Sequence, residues 1–134
     1  MKLRLSLVLA VLLLAALYAV AQAPPRHINP ARLWSTLEKL SEFGRPAGAG
    51  FDAGVTRVGF SEADLAARAW LMQQMRDAGL EVRVDPAGNI YGKRMGTENL
   101  PTILFGSHID SVPHGGNFDG DVGSLGALEV IRAL

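Results

Sequence analysis

The chain has 134 residues, with 13 basic side chains, 13 acidic side chains and no cysteine. This length suits one small domain, and the absence of cysteine excludes disulfides as a source of stability. The balanced charge supplies none of the basic surface that nucleic-acid-binding proteins need, so no nucleic-acid partner is expected.

The N-terminus has the pattern of an export signal. Two basic residues precede an apolar run from Leu5 to Val20, and Ala19-Val20-Ala21 fits the small-x-small rule for cleavage. The run has about 16 residues, fewer than the ~20 that a membrane span requires. Residues 1–21 are therefore predicted to be a signal peptide of a periplasmic or secreted protein, with no stable membrane span after cleavage. An uncleaved membrane anchor is the alternative.

The mature chain, residues 22–134, is predicted to begin with a helix. Asn29 suits the N-cap, Pro30 suits the first helical position and Gly44 suits the end. Apolar residues recur at three- and four-residue spacing, which predicts one buried face, made of Leu33, Leu37, Leu40 and Phe43.

A second helix is predicted between Phe60-Ser61 and Gly79. Ser61 suits the N-cap, Asp64 is an acidic partner at the third position, and Phe60 and Leu65 are placed for a hydrophobic staple. The side chains expected to fill the core are Leu65, Ala69, Trp70, Met72 and Met75.

The loop from Gly44 to Gly59 separates these helices and contains five glycines and one proline. A connection of this length is typically functional or mobile. Arg57 lies in it beside Thr56. A solvated arginine is the favoured interpretation, and a contact with substrate or with another subunit is the alternative.

The second half alternates strand and turn patterns. Leu80–Asp85 and Ile90–Arg94 flank the turn residues Pro86–Asn89, which predicts a hairpin. The apolar run Thr102–Phe105 predicts a buried strand, and Val122–Leu134 predicts an apolar helix. The fold class is therefore α/β. Because parallel α/β sheets are covered on both faces, we expect this chain to be the N-terminal part of a longer protein.

The loop between the last strand and the last helix carries the chemistry. His108 is followed by Asp110 and Asp119 on a glycine-rich segment, where open α/β sheets place their sites. Imidazole is the commonest metal ligand, and Asp110 is spaced to orient the ring of His108. Asp119 is a candidate ligand of the same ion or a bridge between two ions. His114 is a competing candidate ligand, but its place beside Pro113 and Gly115 favours an exposed loop tip.

Rival motifs are weaker. The segment from Asp119 begins like a calcium loop, but Val130 stands where an EF-hand needs glutamate. The spacing of Gly120, Gly123 and Gly126 does not match a phosphate-binding loop, and these glycines are expected to allow close packing of helix on strand. The chain has no Gly-x-Ser-x-Gly elbow, so a serine nucleophile has no support.

The stretch from Gly106 to Gly120 resembles the two-metal amidohydrolases of the N-carbamoyl-L-amino-acid hydrolase and allantoate amidohydrolase group. These enzymes belong to the wider class of aminoacylase- and carboxypeptidase-type zinc peptidases. The likeness runs from Ile28 to Leu134 and includes Gly54-Val55-Thr56-Arg57 and Asp85–Asn89. It implies the N-terminal portion of a three-layer αβα catalytic domain, truncated before the dimerisation domain.

The resemblance also implies roles for individual residues. His108 becomes a ligand of one metal, Asp119 the carboxylate that bridges two, and Asp110 the catalytic acid that orients His108. The implied cofactors are two divalent ions, zinc or else manganese, cobalt or nickel. Asp121 departs from the small apolar residue of many relatives, with no role assigned. Glu129 matches a helix residue and is not the general base.

The implied activity is metal-dependent hydrolysis of carbon–nitrogen bonds in small molecules such as N-carbamoyl-L-amino acids or allantoate. The family's glutamate base, further ligands and dimerisation domain follow later in the chain than Leu134. We therefore expect these 134 residues alone to be inactive and the full-length protein to be a homodimer. An aminopeptidase or aminoacylase of the same superfamily and a non-catalytic exported binding module are the alternatives.

Overall fold

A computed structural model of the chain describes residues 26–134 together with Leu12. The predicted signal peptide, residues 1–21, lies outside the described residues apart from Leu12, so it stays a prediction. Within the described part of the chain, no helix combines the length and the apolar character needed to cross a bilayer.

Helix α1 spans Pro30–Ser41, as predicted. The Asn29 side chain caps it by accepting a hydrogen bond from the Arg32 backbone N–H at 3.0 Å. The turn after the helix needs a glycine: Gly44 has φ +89°, and a Cβ there would lie 2.4 Å from the Thr56 carbonyl oxygen. Gly44 therefore brings the following loop back against the end of α1.

Helix α2 spans Glu62–Asp77 and is capped by the Ser61 hydroxyl, as predicted. Its predicted core face was partly wrong. Leu65 and Ala69 are exposed, and the buried positions are Asp64, Ala67 and Leu71. Apolar residues are scattered around this helix, so its neighbours in the fold, and not its own periodicity, select the buried face. Trp70 and Met75 do pack against the core, as expected.

The hairpin is also confirmed. Strands β1 (Glu81–Val84) and β2 (Ile90–Lys93) pair antiparallel, with Val84 opposite Ile90. The Asp85 carboxylate closes the turn by accepting hydrogen bonds from the backbone N–H groups of Ala87 and Asn89. The hairpin packs on α2.

The prediction of a buried strand at Thr102–Phe105 was wrong. These residues form no ladder, and Ile103 and Leu104 are 84% and 77% exposed. A central strand needs hydrogen-bonding neighbours on its edges and layers on its faces. The described residues supply neither, so the apolar composition alone does not produce a strand.

Helix α3 spans Asp121–Ala133 and packs against α1. Leu125 and Leu128 enter the core, whereas Val130 and Leu134, which the sequence also favoured as apolar face, remain partly exposed. The core joins all three helices to the start of the hairpin and to the segment that carries the candidate site. Its buried members are Leu37, Leu40, Ala67, Leu71, Leu80, Ile109, Leu125 and Leu128. The described fold thus mixes helices and strands, in agreement with the α/β class.

Candidate metal centre

Two short arms of the chain meet at the candidate site. The first arm carries His108 and Asp110 on either side of the buried Ile109, and the second ends at Asp119, just before α3. The arms bring His108 Nε2 to 3.9 Å from Asp119 Oδ2. A small cavity of about 120 Å³ lies between them, lined in part by Gly116. The geometry therefore places Asp110 and Asp119 at the two different ring nitrogens of His108.

Asp110 lies on the other nitrogen of the imidazole. His108 Nδ1 is 3.2 Å from Asp110 Oδ1 and 3.1 Å from the Asp110 carbonyl oxygen. Two oxygen acceptors on this side place the ring proton on Nδ1 in the neutral tautomer. The lone pair of Nε2 then points away from Asp110, on the side where Asp119 lies.

The gap between His108 and Asp119 suits a cation better than a hydrogen bond. At 3.9 Å the two atoms are too far apart for a hydrogen bond, and in that tautomer an imidazole lone pair faces a carboxylate. Metal–nitrogen and metal–oxygen bonds of roughly 2.0–2.2 Å would span such a gap. The Asp119 side chain is 94% exposed, so its carboxylate is free to reach an ion.

The pair does not make a complete site. In residues 26–134 no three histidine, cysteine or acidic side chains converge on one point. A divalent ion needs more ligands than two protein atoms. The described residues thus fit one edge of a metal site, and the ligand roles of His108 and Asp119 and the orienting role of Asp110 remain predictions.

Gly120 shapes the pocket for the imidazole. It has φ +72°, and a Cβ at this position would lie 2.5 Å from the His108 ring. Gly123 likewise lets α3 approach the Ser107 side chain, where a Cβ would come within 2.7 Å. Close packing at these two glycines was predicted. For Gly126 the prediction was wrong, because nothing lies within 4 Å of a Cβ there.

The Gly44–Gly59 loop supports the first arm from behind. The Val55 and Gly115 backbones exchange hydrogen bonds of 2.9 and 2.8 Å. The Arg57 N–H donates to the Ser111 hydroxyl, and the Ser111 N–H donates to the Arg57 carbonyl. These hydrogen bonds attach the loop to the backbone of the site, a role that sequence reasoning did not assign.

Arg57 itself is a correction. We expected a solvated arginine, but its side chain is 0% exposed. Its Nη2 donates to Asp121 Oδ2 at 2.7 Å, and its Nε donates to the Ile109 carbonyl. Its Nη1 donates to the Leu40 and Phe43 carbonyls at the end of α1. A buried guanidinium needs such partners, because an unpaired charge in the interior is costly.

Asp121, which had no role in the sequence analysis, is the counter-ion of Arg57. It is buried, and its second oxygen, Oδ1, has no hydrogen-bond partner within the described residues. Burial raises the pKa of Asp121 to about 6, although the Arg57 guanidinium opposes that rise. The sequence contained an indication of this ion pair. Asp121 lies where the resemblance led us to expect a small apolar residue, and Arg57 lies in a glycine-rich loop.

His114 lies at an exposed loop position, as predicted. It has φ +55°, and its backbone N–H donates to the Thr56 hydroxyl at 3.0 Å. Ser124 on α3, which the sequence analysis missed, donates its hydroxyl hydrogen bond to the His108 carbonyl at 3.0 Å. Both contacts fix backbone around the arms.

Comparison with known proteins identifies relatives over most of the chain. The chain is 41% identical over 108 residues to an N-carbamoyl-L-amino-acid amidohydrolase of Pseudomonas sp. (strain NS671), and the match covers 80% of this chain and 25% of that protein. It is 44% identical over 108 residues to a ureidoglycolate hydrolase of Arabidopsis thaliana, covering 80% and 22%. No protein-family model matches the chain.

The fold has a counterpart among solved structures. A hydantoinase/carbamoylase family amidase from Burkholderia ambifaria superposes with a TM-score of 0.74 at 38% identity, covering 81% of this chain and 26% of that one. The chain therefore spans about a quarter of the length of the relatives it matches.

Proposed function

We propose that this chain, a homologue of the N-carbamoyl-L-amino-acid hydrolases and allantoate amidohydrolases, contributes one edge of a metal-dependent amidohydrolase site. The chain also shares the fold of hydantoinase/carbamoylase amidases. The observation that supports this most directly is the 3.9 Å approach of His108 Nε2 to Asp119 Oδ2. The proposed reaction class is hydrolysis of a carbon–nitrogen bond in a ureido or amide group.

Each residue of the site has a proposed task. His108 offers Nε2 to a divalent ion, and Asp110 holds the ring proton on Nδ1 so that Nε2 stays free. Asp119 would help to hold the same ion, and a second one, through its exposed carboxylate. Gly120 keeps the space for the imidazole. When bound, divalent ions at such a site polarise a carbonyl and acidify a water molecule.

The substrate class follows from the relatives and not from the cavity. Relatives at 41–45% identity are named for N-carbamoyl-L-amino acids, ureidoglycolate and allantoate. All three are small molecules with a carbamoyl or ureido group, so we propose a small ureido compound as substrate. We further propose zinc, manganese, cobalt or nickel as the ion, export to the periplasm or medium, and a homodimeric complete protein.

The test uses the complete gene product. After chelation and readdition of one divalent metal at a time, ammonia release is measured from N-carbamoyl-L-amino acids, allantoate and ureidoglycolate. We expect metal-dependent release, and a loss of roughly 100-fold or more in kcat/KM for His108→Ala, since a direct ligand should cost more than an outer residue. His114→Ala is the matched control and should keep activity, because His114 is exposed and does not line the cavity between His108 and Asp119.

Two results would contradict the proposal. One is hydrolysis that survives chelation or the loss of His108, and the other is the absence of turnover with every metal and every ureido substrate. We also expect residues 22–134 alone to be inactive, because their described part brings only two ligand side chains together. Metal-dependent hydrolysis by that polypeptide would contradict this expectation.

A further inference from the structure

The buried ion pair of Arg57 and Asp121 touches both arms of the candidate site. Arg57 Nε donates to the carbonyl of Ile109, the residue between His108 and Asp110. Arg57 Nη2 donates to Asp121 Oδ2 at 2.7 Å, and the Asp121 N–H donates to the Asp119 carbonyl at 2.8 Å. One planar group therefore connects the backbone next to His108 with the backbone of Asp119.

Few hydrogen bonds reach the two candidate ligand side chains themselves. In the described part of the chain, no hydrogen bond reaches the Asp119 carboxylate, and His108 contacts only Asp110 through its ring nitrogens at hydrogen-bonding distance. Their relative position must therefore come from the backbone of the two arms. A guanidinium suits this task because its donors form a rigid, planar fork.

The pair is also anchored to the rest of the fold. Arg57 Nη1 donates to the carbonyls of Leu40 and Phe43 at 3.0 and 2.9 Å. The end of α1 thus fixes the guanidinium in the plane from which it contacts the arms.

We propose that Arg57 and Asp121 form a positioning pair that sets the separation between the His108 arm and the Asp119 arm. The proposal rests on the function proposed above and adds two residues to that site. Neither residue is proposed as a metal ligand or a substrate contact, and both act through the backbone of the two arms.

The test separates positioning from general stabilisation by using a second ion pair on α3 as control. Glu129, which is buried on the same helix, accepts two hydrogen bonds from Arg32 at 2.8 and 2.7 Å. The variants are Asp121→Asn, Arg57→Lys and their double mutant, with Glu129→Gln as control, all in the complete gene product. Asp121→Asn preserves shape, so it remains informative if Arg57→Lys fails to fold.

Two readouts are taken well below the unfolding temperature. The first is the Kd for zinc alone, measured by calorimetry; we expect a rise of roughly 10- to 100-fold in the positioning variants and none in Glu129→Gln. The double mutant should bind zinc no more weakly than the single mutant with the higher Kd, because both substitutions disrupt the same ion pair. The second is the rate of backbone amide hydrogen exchange in residues 107–111 and 118–121, measured in the presence of chelator. This rate should rise in both arms of the positioning variants.

The outcomes distinguish the two proposals. If the wild type binds zinc and the positioning variants bind it as tightly as Glu129→Gln does, the pair is only structural and the inference is overturned. If the wild type binds no metal, the proposed function fails. In that case exchange in both arms still decides the inference: faster exchange supports the positioning pair, and unchanged exchange overturns it.

Discussion

Gly120 shows how a single missing side chain shapes the candidate site. Its backbone has φ +72°, a region that side chains disfavour, and the His108 ring occupies the place where a Cβ would stand. The sequence indicated close packing at this glycine. It could not indicate that the packed group is the candidate ligand, because that contact joins residues from different elements.

We expect Gly120→Ala to displace the His108 imidazole and to weaken zinc binding at least tenfold, while lowering stability by about 1 kcal/mol or more. The matched control is Gly126→Ala in the interior of α3, where nothing lies within 4 Å of the new Cβ. That change should stabilise the helix by roughly 0.5–1 kcal/mol. Calorimetric zinc titration and thermal unfolding of both variants check the prediction, which fails if Gly120→Ala binds zinc like the wild type.

Glu129 joins helices α1 and α3. Its carboxylate accepts hydrogen bonds from the Asn29 N–H at 2.8 Å and from the Arg32 guanidinium, and it is almost completely buried. The Arg32 hydrogen bond is the main cause that holds the pKa of Glu129 below its ordinary value of 4.5. The pair thus fastens the start of one helix to the face of another.

Because the pKa of Glu129 is lowered in the folded state, the free energy of unfolding should fall as the pH falls into the acid range. The stabilisation from Glu129 is fully present above the unfolded value of about 4.5 and is lost as the pH falls through the folded value. We expect Glu129→Gln to lower the free energy of unfolding by roughly 1–3 kcal/mol at pH 7 and to flatten its fall below pH 4.5. Urea titrations from pH 3 to 7 measure both effects. An unchanged acid slope would show that other carboxylates carry the dependence.

Sequence patterns predicted the elements better than their buried faces. The caps at Asn29 and Ser61 located α1 and α2, since capping uses atoms within a few residues of each other. The buried face of α2 was missed, because its apolar residues do not form one stripe. Asp64 is buried there and accepts a hydrogen bond from the Phe60 N–H, a local polar contact that hydrophobic periodicity does not report.

At the scale of the whole molecule, the exposed apolar segment Thr102–Phe105 stands out. Within the structure of residues 26–134, the side chains of this segment are exposed to solvent, although their composition is that of a buried strand. The chain spans about a quarter of its relatives' length. An exposed apolar segment that forms no ladder within the described residues is expected to promote aggregation.

We therefore expect purified residues 22–134 to self-associate as concentration rises, and Leu104→Lys to reduce this association by placing a charge on the segment. Met95→Lys serves as the control, because Met95 is an exposed residue outside this segment. Sedimentation velocity from micromolar to millimolar concentration measures the effect. Equal association of both variants would show that the segment is not the contact.

The sequence by itself determined the local features, which are the capped helices and the hairpin turn. It also predicted a metal site from the pattern of His108, Asp110 and Asp119, which resembles that of a known family. Only the tertiary structure decided which residues support that pattern. Arg57 becomes buried through partners 14 to 64 residues away, and Asp121 becomes its counter-ion. The physical reason is that periodicity and capping act over a few residues, whereas burial and ion pairing depend on contacts between distant parts of the chain.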